Sequence, residues 1–363
     1  MFPFNLSLIH ALYFSNTFLC CILFYGEINM IDLHLHLDGS LSLEDFKFLA
    51  ERNGIDLGKD FPNNVYVPEG CKSLEEYLER FDLPLSLLQD EMSIAYVTKS
   101  LVDRLYKAGF IYAEIRFAPQ LHTRKGMSQE DAVIAALAGL KSALKDKKDF
   151  DANLILCCMR QADYETNRET VKLARKYKND KVVCLDLAGP EAFHTGDFYK
   201  KLFDEAEEDK VNIIIHAGEA CGSEEVIRAI DILHAKRIGH GVHLDLTRDN
   251  IRKVVEKRIA FEFCPTSNLQ TTSLPNYEAV PISDFIKNGI IVTVNSDNMT
   301  VSNTDVLQEY RHLFKVFKFT KYEVRHLLMN SLTAAFISQE ERFKLTAVLD
   351  KKIDNFYNKI IEQ

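Results

Sequence analysis

Apolar and polar residues alternate along Ile31-Asp-Leu-His-Leu-His-Leu-Asp38, and the alternation stops at Gly39-Ser40. A period of two predicts a strand, because successive side chains point to opposite faces. Ile31, Leu33, Leu35 and Leu37 then share one face, and Asp32, His34, His36 and Asp38 share the other. Further along, short apolar runs alternate with stretches whose apolar residues recur at helical spacing. The runs predict strands over Phe110–Pro119, Ala152–Arg160, Val182–Gly189, Val211–Glu219, Arg237–Val242, Ile259–Cys264 and Ile290–Asp297. Helices are predicted between them, over Gln129–Lys145, Glu165–Tyr177, Asp197–Glu208, Glu224–His234, Thr247–Lys257 and Ile282–Lys287. Two more, Glu44–Arg52 and Glu91–Ala108, precede the second strand and are stopped by Asn53-Gly54 and Gly109. Residues 55–90 between them read as an inserted helical segment, in which Ser73 and Glu76 have the spacing of a capping box. From Thr304 to Gln363 the chain reads as helical throughout.

Strands that alternate with helices pair in parallel, and their nearly continuous apolar runs imply burial on both faces. Eight such units predict an α/β fold: a closed (β/α)8 TIM barrel with inserted helices after strand 1 and a helical C-terminal segment. An open doubly wound sheet is the second architecture, but no Gly-rich phosphate loop follows the first strand. No repeat and no linker divides residues 30–363, which read as one domain.

Composition changes this picture in three ways. A chain of 363 residues, 47% hydrophobic and 27% charged, suits a soluble barrel-sized protein. With 53 acidic against 44 basic residues the net charge is -9, and no basic run offers a nucleic-acid surface. The eight cysteines form no Cys-x-x-Cys pair, and several lie in apolar runs, which fits a reducing, cytoplasmic compartment without disulfides. Residues 1–29 stand apart: they contain no Lys or Arg, Glu27 is their only acid, and polar residues break the apolar stretch. Translation is expected to begin at Met30, which makes 1–29 a non-native extension; a weak hydrophobic anchor is the alternative.

In a barrel of this kind the active site lies at the C-terminal ends of the strands. Polar residues gather at those ends: His34, His36 and Asp38 on strand one, Gly189 closing strand four, His216 and Glu219 on strand five. His240 stands between Gly239 and Gly241 on strand six, and Asn295-Ser-Asp-Asn298 ends strand eight. Each has an ordinary reading as well. Asp297 suits a turn, Glu219 suits the start of the next helix, and His240 suits a packed ring. Their common rim favours the chemical reading. Three imidazoles (His34, His36, His216) and the Asp297 carboxylate form a catalytic type of metal site with a position left open. Nitrogen and oxygen donors without thiolate fit zinc best, with iron, cobalt or manganese next. His122, His194, His234, His243, His312 and His326 lack such a context.

Taken together, His34-Leu-His-Leu-Asp-Gly39, His216-Ala-Gly-Glu219, Gly239-His-Gly241, Cys264-Pro-Thr-Ser-Asn268 and the Asn295-Ser-Asp297 strand end resemble the adenosine deaminase family, within the metal-dependent amidohydrolase barrels. The motifs occur in that family's order and span Ile31 to about Asn303. The resemblance implies one zinc ion per chain, held by His34, His36, His216 and Asp297. It implies hydrolysis of adenosine, with 2′-deoxyadenosine, to inosine and ammonia in purine salvage. It also implies that Glu219 works on the purine N1, that His240 orients the attacking water, and that Asp38 receives a ribose hydroxyl. The Gly189 backbone would contact the purine ring, with His36 beside the substrate. Members often carry a second Asp after the metal-binding one, in contact with purine N7. Here that residue is Asn298, whose amide can donate to N7. Pro190 stands where an acid is common.

The chemistry of the residues agrees with the resemblance. Zinc lowers the pKa of a bound water toward about 7, and Asp297 and His240 are placed to orient it and accept its proton. Attack at C6 develops negative charge that protonation of N1 removes. Glu219 must then enter in its acid form, which burial favours. Adenine and aminodeoxyfutalosine are the alternative 6-aminopurine substrates, although Asp38 would be wasted on a free base. A binuclear phosphoester hydrolase would need a bridging Lys at the end of strand four, and Val182–Gly189 contains none. A nucleoside-binding protein without catalysis would lack a ligand or the acid, and none is missing. The expected partner is a small purine nucleoside, with neither nucleic acid nor membrane; the sequence leaves the oligomeric state open.

Overall fold

Eight parallel strands follow one another around the sheet in chain order. They are β1 (Met30–His36), β2 (Phe110–Phe117), β3 (Asp151–Met159), β4 (Val182–Ala188), β5 (Asn212–Ala217), β6 (Arg237–His240), β7 (Ala260–Phe263) and β8 (Ile291–Val294). The last strand meets the first beyond its own end, where Leu35 bridges Asp297. Asp297 donates its N–H to the His34 carbonyl (2.8 Å), and His36 donates its N–H to the Asp297 carbonyl (2.7 Å). This is the expected (β/α)8 barrel, closed at its C-terminal rim. The coordinates are a computed structural model that describes residues 28–362. Of the N-terminal stretch, Ile28 and Asn29 are described; both are buried, and the Asn29 amide donates to the Val348 carbonyl. The expectation for residues 1–27 lies outside the described residues.

The helices that follow β1 are α1 (Leu43–Asn53), α2 (Leu74–Leu78), α3 (Asp82–Leu87) and α4 (Glu91–Ala108). Around the barrel come α5 (Gln129–Leu144), α6 (Tyr164–Tyr177), α7 (Lys200–Glu208), α8 (Ser223–Asp231), α9 (Arg248–Glu256), α10 (Pro265–Gln270) and α11 (Ile282–Lys287). The C-terminal segment is three helices, α12 (Val306–Phe317), α13 (Lys321–Ala334) and α14 (Gln339–Ile361), and not one continuous run. Lys318 takes a left-handed turn (φ 53°) that ends α12, and Thr320 caps the next helix. Thereafter α13 packs on β8 and β1, with α14 against α12 and α13. Local signals account for other boundaries. Asp90 caps α4 by accepting the Ser93 N–H, and Gly109 ends it at φ 91°. At α2 only half of the expected capping box forms. Ser73 Oγ accepts the Glu76 N–H (3.2 Å), but Glu76 reaches one residue further back, to the Lys72 N–H (2.9 Å).

Several strands stop short of their apolar runs. β5 ends at Ala217, β6 at His240 and β8 at Val294, where the pattern extends to Glu219, Val242 and Asp297. The backbone at these ends turns left-handed, with φ 70° at Gly218, 60° at His240, 70° at Gly241 and 60° at Asp297. A strand cannot continue through such residues. Apolar residues of the strands and of the helices pack together into one large buried cluster. No helix among the described residues is long and apolar enough to cross a membrane, and the cysteines among them are free thiols.

Candidate active site

His34 is fully buried on β1, and its Nδ1 lies 2.9 Å from Glu262 Oε2 on β7. His216 at the end of β5 is held the same way, with Nδ1 3.0 Å from Asp186 Oδ2 on β4. These contacts fix each ring by one nitrogen and leave the other free. Asp297 Oδ1 lies 3.6 Å from His34 Nε2 and 3.4 Å from His36 Nε2. One nitrogen each from His34, His36 and His216 falls within 4.8 Å of the others. Burial, reinforced by the Arg116 charge, holds His34 and His36 well below the usual imidazole range, so both rings are neutral. Burial also lowers His216, but the Asp186 carboxylate outweighs it and its pKa is raised.

His34 Nε2 is buried without a hydrogen-bond partner among the described residues. A buried polar atom of this kind calls for a partner of another sort. Neutral imidazoles and a carboxylate converging on that atom fit a divalent cation with nitrogen and oxygen ligands. Cys264 Sγ also comes near His34, His240 and Asp297. Burial, then the Asp297 charge, pushes this thiol well up, and it donates to the Glu262 carbonyl (3.5 Å), so it is no thiolate ligand.

Beneath the imidazoles the barrel interior is ionic. Arg116 on β2 donates to Asp186 (2.7 Å) and to Glu262 (2.8 Å), the two carboxylates that hold His216 and His34. Arg237 on β6 pairs with Glu262 and with Glu114, all fully buried. Sequence reasoning missed these residues. The available signal was an ionisable residue in the middle of a strand otherwise buried throughout, as in Ala260-Phe-Glu-Phe263 and Phe110-Ile-Tyr-Ala-Glu-Ile-Arg-Phe117.

A pocket opens over the rim, lined by His36, Asp38, Gly189, His216, Glu219, His240, Asp297 and Asn298. With His34 just below, every residue expected from the sequence is thus gathered there. Leu74, Tyr77 and Leu78 of α2, with Phe81 and Leu85, form an apolar wall. Glu219 is buried, with Oε1 3.3 Å from Thr271 Oγ1 and Oε2 3.6 Å from His240 Nε2. Burial, then the Asp297 carboxylate, pushes the Glu219 acid up to about 8. Burial lowers His240 to about 4, so this ring is neutral. Asn268 Nδ2 donates to His240 Nδ1 (3.0 Å), and with the amide so oriented the ring proton is on Nε2, facing Glu219. Asp38 lies beyond the end of β1; burial raises it to about 6, and its Oδ1 has no protein partner. Gly189 turns the chain at φ 93°. The Asn298 amide donates one N–H to Asp297 Oδ1 (2.7 Å) and the other to Tyr77 Oη (2.8 Å), so both donors are taken.

Imidazoles and a carboxylate at the C-terminal rim of a (β/α)8 barrel, beside a buried acid, define a hydrolase of the amidohydrolase type. Sequence comparison narrows the class. The profile of the family described as adenosine deaminase matches residues 30–352. The adenosine deaminase of Haemophilus ducreyi is 43% identical over 339 residues, covering 91% of this chain and 98% of its own. This chain belongs to the adenosine deaminase family. Among solved structures, the N6-mAMP deaminase of Arabidopsis superposes with a TM-score of 0.80 at 25% identity, over 90% of this chain and 99% of its own. The adenine deaminase of Arthrobacter aurescens shares the fold, with a TM-score of 0.80 at 24% identity over 89% of this chain and 98% of its own.

Proposed function

We propose that this protein hydrolyses adenosine, and 2′-deoxyadenosine with it, to inosine and ammonia in the cytoplasm, with one zinc ion held by His34, His36, His216 and Asp297. The observation that carries the reading is Glu219: a carboxyl kept in its acid form faces the same pocket as the imidazole cluster. When bound, the ion supplies a water whose pKa is lowered to about 7. The protein's own residues do the rest. Asp38, with an oxygen free, takes a ribose hydroxyl, and the Gly189 backbone lies along the purine edge. Glu219 gives its proton to N1, which makes C6 electrophilic and removes the negative charge that attack would leave on the ring. His240 donates from Nε2 to the incoming oxygen and so orients it; Asp297 takes the water's proton. That proton passes to the 6-amino group, ammonia leaves as the C6–N bond breaks, and the remaining hydroxyl proton returns to the Glu219 carboxylate as the C6 carbonyl forms. The proton on Nε2 gives His240 a donor's role in place of an acceptor's.

The test is loss of absorbance near the adenosine-to-inosine window, run side by side on adenosine, 2′-deoxyadenosine, adenine and a 5′-extended adenosine, with metal content measured on the same sample. Turnover of the two nucleosides at full zinc occupancy is expected. Turnover of adenine alone, or of the 5′-extended analogue alone, moves the substrate; none at all with zinc bound removes the enzymatic reading.

A further inference from the structure

Glu191 stands three residues past the end of strand β4, after Gly189-Pro190, and its side chain is buried. Its carboxylate accepts four consecutive backbone N–H groups from the loop between β5 and α8. Oε1 takes Gly218 N (2.6 Å), and Oε2 takes Glu219 N (3.0 Å), Ala220 N (2.8 Å) and Cys221 N (2.9 Å). Successive N–H groups turned to one side, with Gly218 left-handed at φ 70°, form an anion-binding concavity. Here the chain supplies the anion itself. A neutral side chain cannot replace it, because four donors face one carboxylate and an amide offers only one oxygen.

The loop that Glu191 gathers carries Glu219. The N–H of Glu219 and that of Ala220 are both bound, so the peptide planes on either side of the Glu219 Cα are pinned. The Glu219 side chain leaves this pinned backbone and meets Thr271 and His240 in the pocket. Only its own torsions remain free, and Thr271 restrains the last of them. We infer that Glu191 is a positioning residue that acts through Glu219: it fixes the main chain from which the proton donor reaches the purine N1. This rests on the role proposed for Glu219. Glu191 itself touches neither the imidazole cluster nor the space where the base would lie, and its charge beside Glu219 also favours the acid form.

A double-mutant cycle on the zinc-loaded enzyme tests this, with Glu191→Gln, Glu219→Gln and the pair. Glu191→Gln is expected to lower kcat by 10- to 100-fold with KM changed less than threefold and metal content unchanged. In the Glu219→Gln background the same change is expected to cost less than threefold, because the group it positions no longer carries the proton. Glu191→Asp keeps the charge with a shorter reach and is expected to fall between; it replaces the Gln variant in the cycle if that one does not fold. Equal losses in both backgrounds, or a Glu191→Gln enzyme within threefold of wild type, overturn the inference. Amide hydrogen exchange reads the pinning whether or not adenosine is turned over. Residues 218–221 are expected to exchange at least tenfold faster in Glu191→Gln while the β5 and β6 amides do not; unchanged exchange there also overturns it. Wild-type and Glu219→Gln turnover, read in the same cycle, tests the function separately.

Discussion

Glu262 Oε2 lies 2.9 Å from His34 Nδ1, on the side of the ring away from Asp297 and His36. The carboxylate decides which nitrogen of His34 is left for a cation, and it makes that ring a better donor. Glu262→Gln is expected to weaken zinc binding by 10- to 100-fold, the usual loss when such a partner is removed. It also removes a charge from between Arg116 and Arg237, so the melting temperature is expected to fall. Chelator competition on the purified variant measures the first effect and thermal unfolding the second. Unchanged zinc affinity with a lowered melting temperature would mean that Glu262 serves the arginines alone.

The distribution of legible and illegible features has a physical cause. Periodicity is a local property, so β1, α4 and α11 were readable from residues that touch only near neighbours in sequence. The rim residues were readable because they break an apolar run at its end. Glu262, Asp186 and Arg116 interrupt such runs in the middle, but their partners come from strands 70 and 146 residues away. Nothing local tells an inward ion pair from an outward charge until the barrel closes. Glu191 was hidden differently: its partners are backbone N–H groups, which every residue has. The strand ends were over-extended for a related reason. Side-chain pattern carries no sign of the left-handed turns at His240 and Asp297, and those turns aim the two side chains into the pocket. Strained positions of this kind cluster at functional sites.

The proton-donor role proposed for Glu219 predicts one limb of the pH profile. The proposed mechanism needs its acid form, and its pKa is pushed up to about 8 by burial and the Asp297 charge. kcat/KM is therefore expected to fall as pH rises through about 8, by tenfold per unit beyond it. Glu219→Gln should keep zinc and lose about 100- to 10,000-fold in rate, with no remaining alkaline limb from this group. Near-normal turnover in that variant would remove Glu219 from the proton-donor role.

Gly39 is required by its neighbour. A Cβ added there would overlap the Asn298 side chain at Oδ1, Cγ and Cβ. The amide would have to leave the place where it donates to Asp297 and Tyr77. Gly39→Ala is expected to destabilise the protein by about 1–3 kcal/mol, as overpacking does, and to lower kcat/KM for adenosine at least tenfold. Asn298→Gly in the Gly39→Ala background, which removes the Cβ, Cγ and Oδ1 that a new methyl would meet, should recover part of the stability by clearing the overlap. A Gly39→Ala protein that matches wild type in both melting temperature and kcat/KM would show that the rim yields there.

Glu309 on α12 offers a test of stability away from the pocket. It is fully buried, accepts the Thr266 N–H (3.1 Å) and the Thr304 hydroxyl (2.6 Å), and has no cation among these partners. Burial outweighs the two donors and raises its pKa from 4.5 to about 7. A carboxyl whose folded pKa is raised stabilises the native state fully below its unfolded value, and that contribution is lost as pH rises through the folded value. Between pH 5 and pH 8 the native state therefore loses up to about 3 kcal/mol at this one group, at 1.36 kcal/mol per pKa unit. Glu309→Gln stays neutral across the range. Its carbonyl can accept the Thr266 N–H while its amide donates to the Thr304 hydroxyl, which turns to accept. The variant should melt with wild type at pH 5 and above it by a few degrees at pH 8, about 2–4 °C per kcal/mol in a protein of moderate size. The difference between the two proteins cancels every other titrating group. A difference that stays flat from pH 5 to pH 8 would mean that Glu309 remains protonated, or finds a counter-charge, throughout that range.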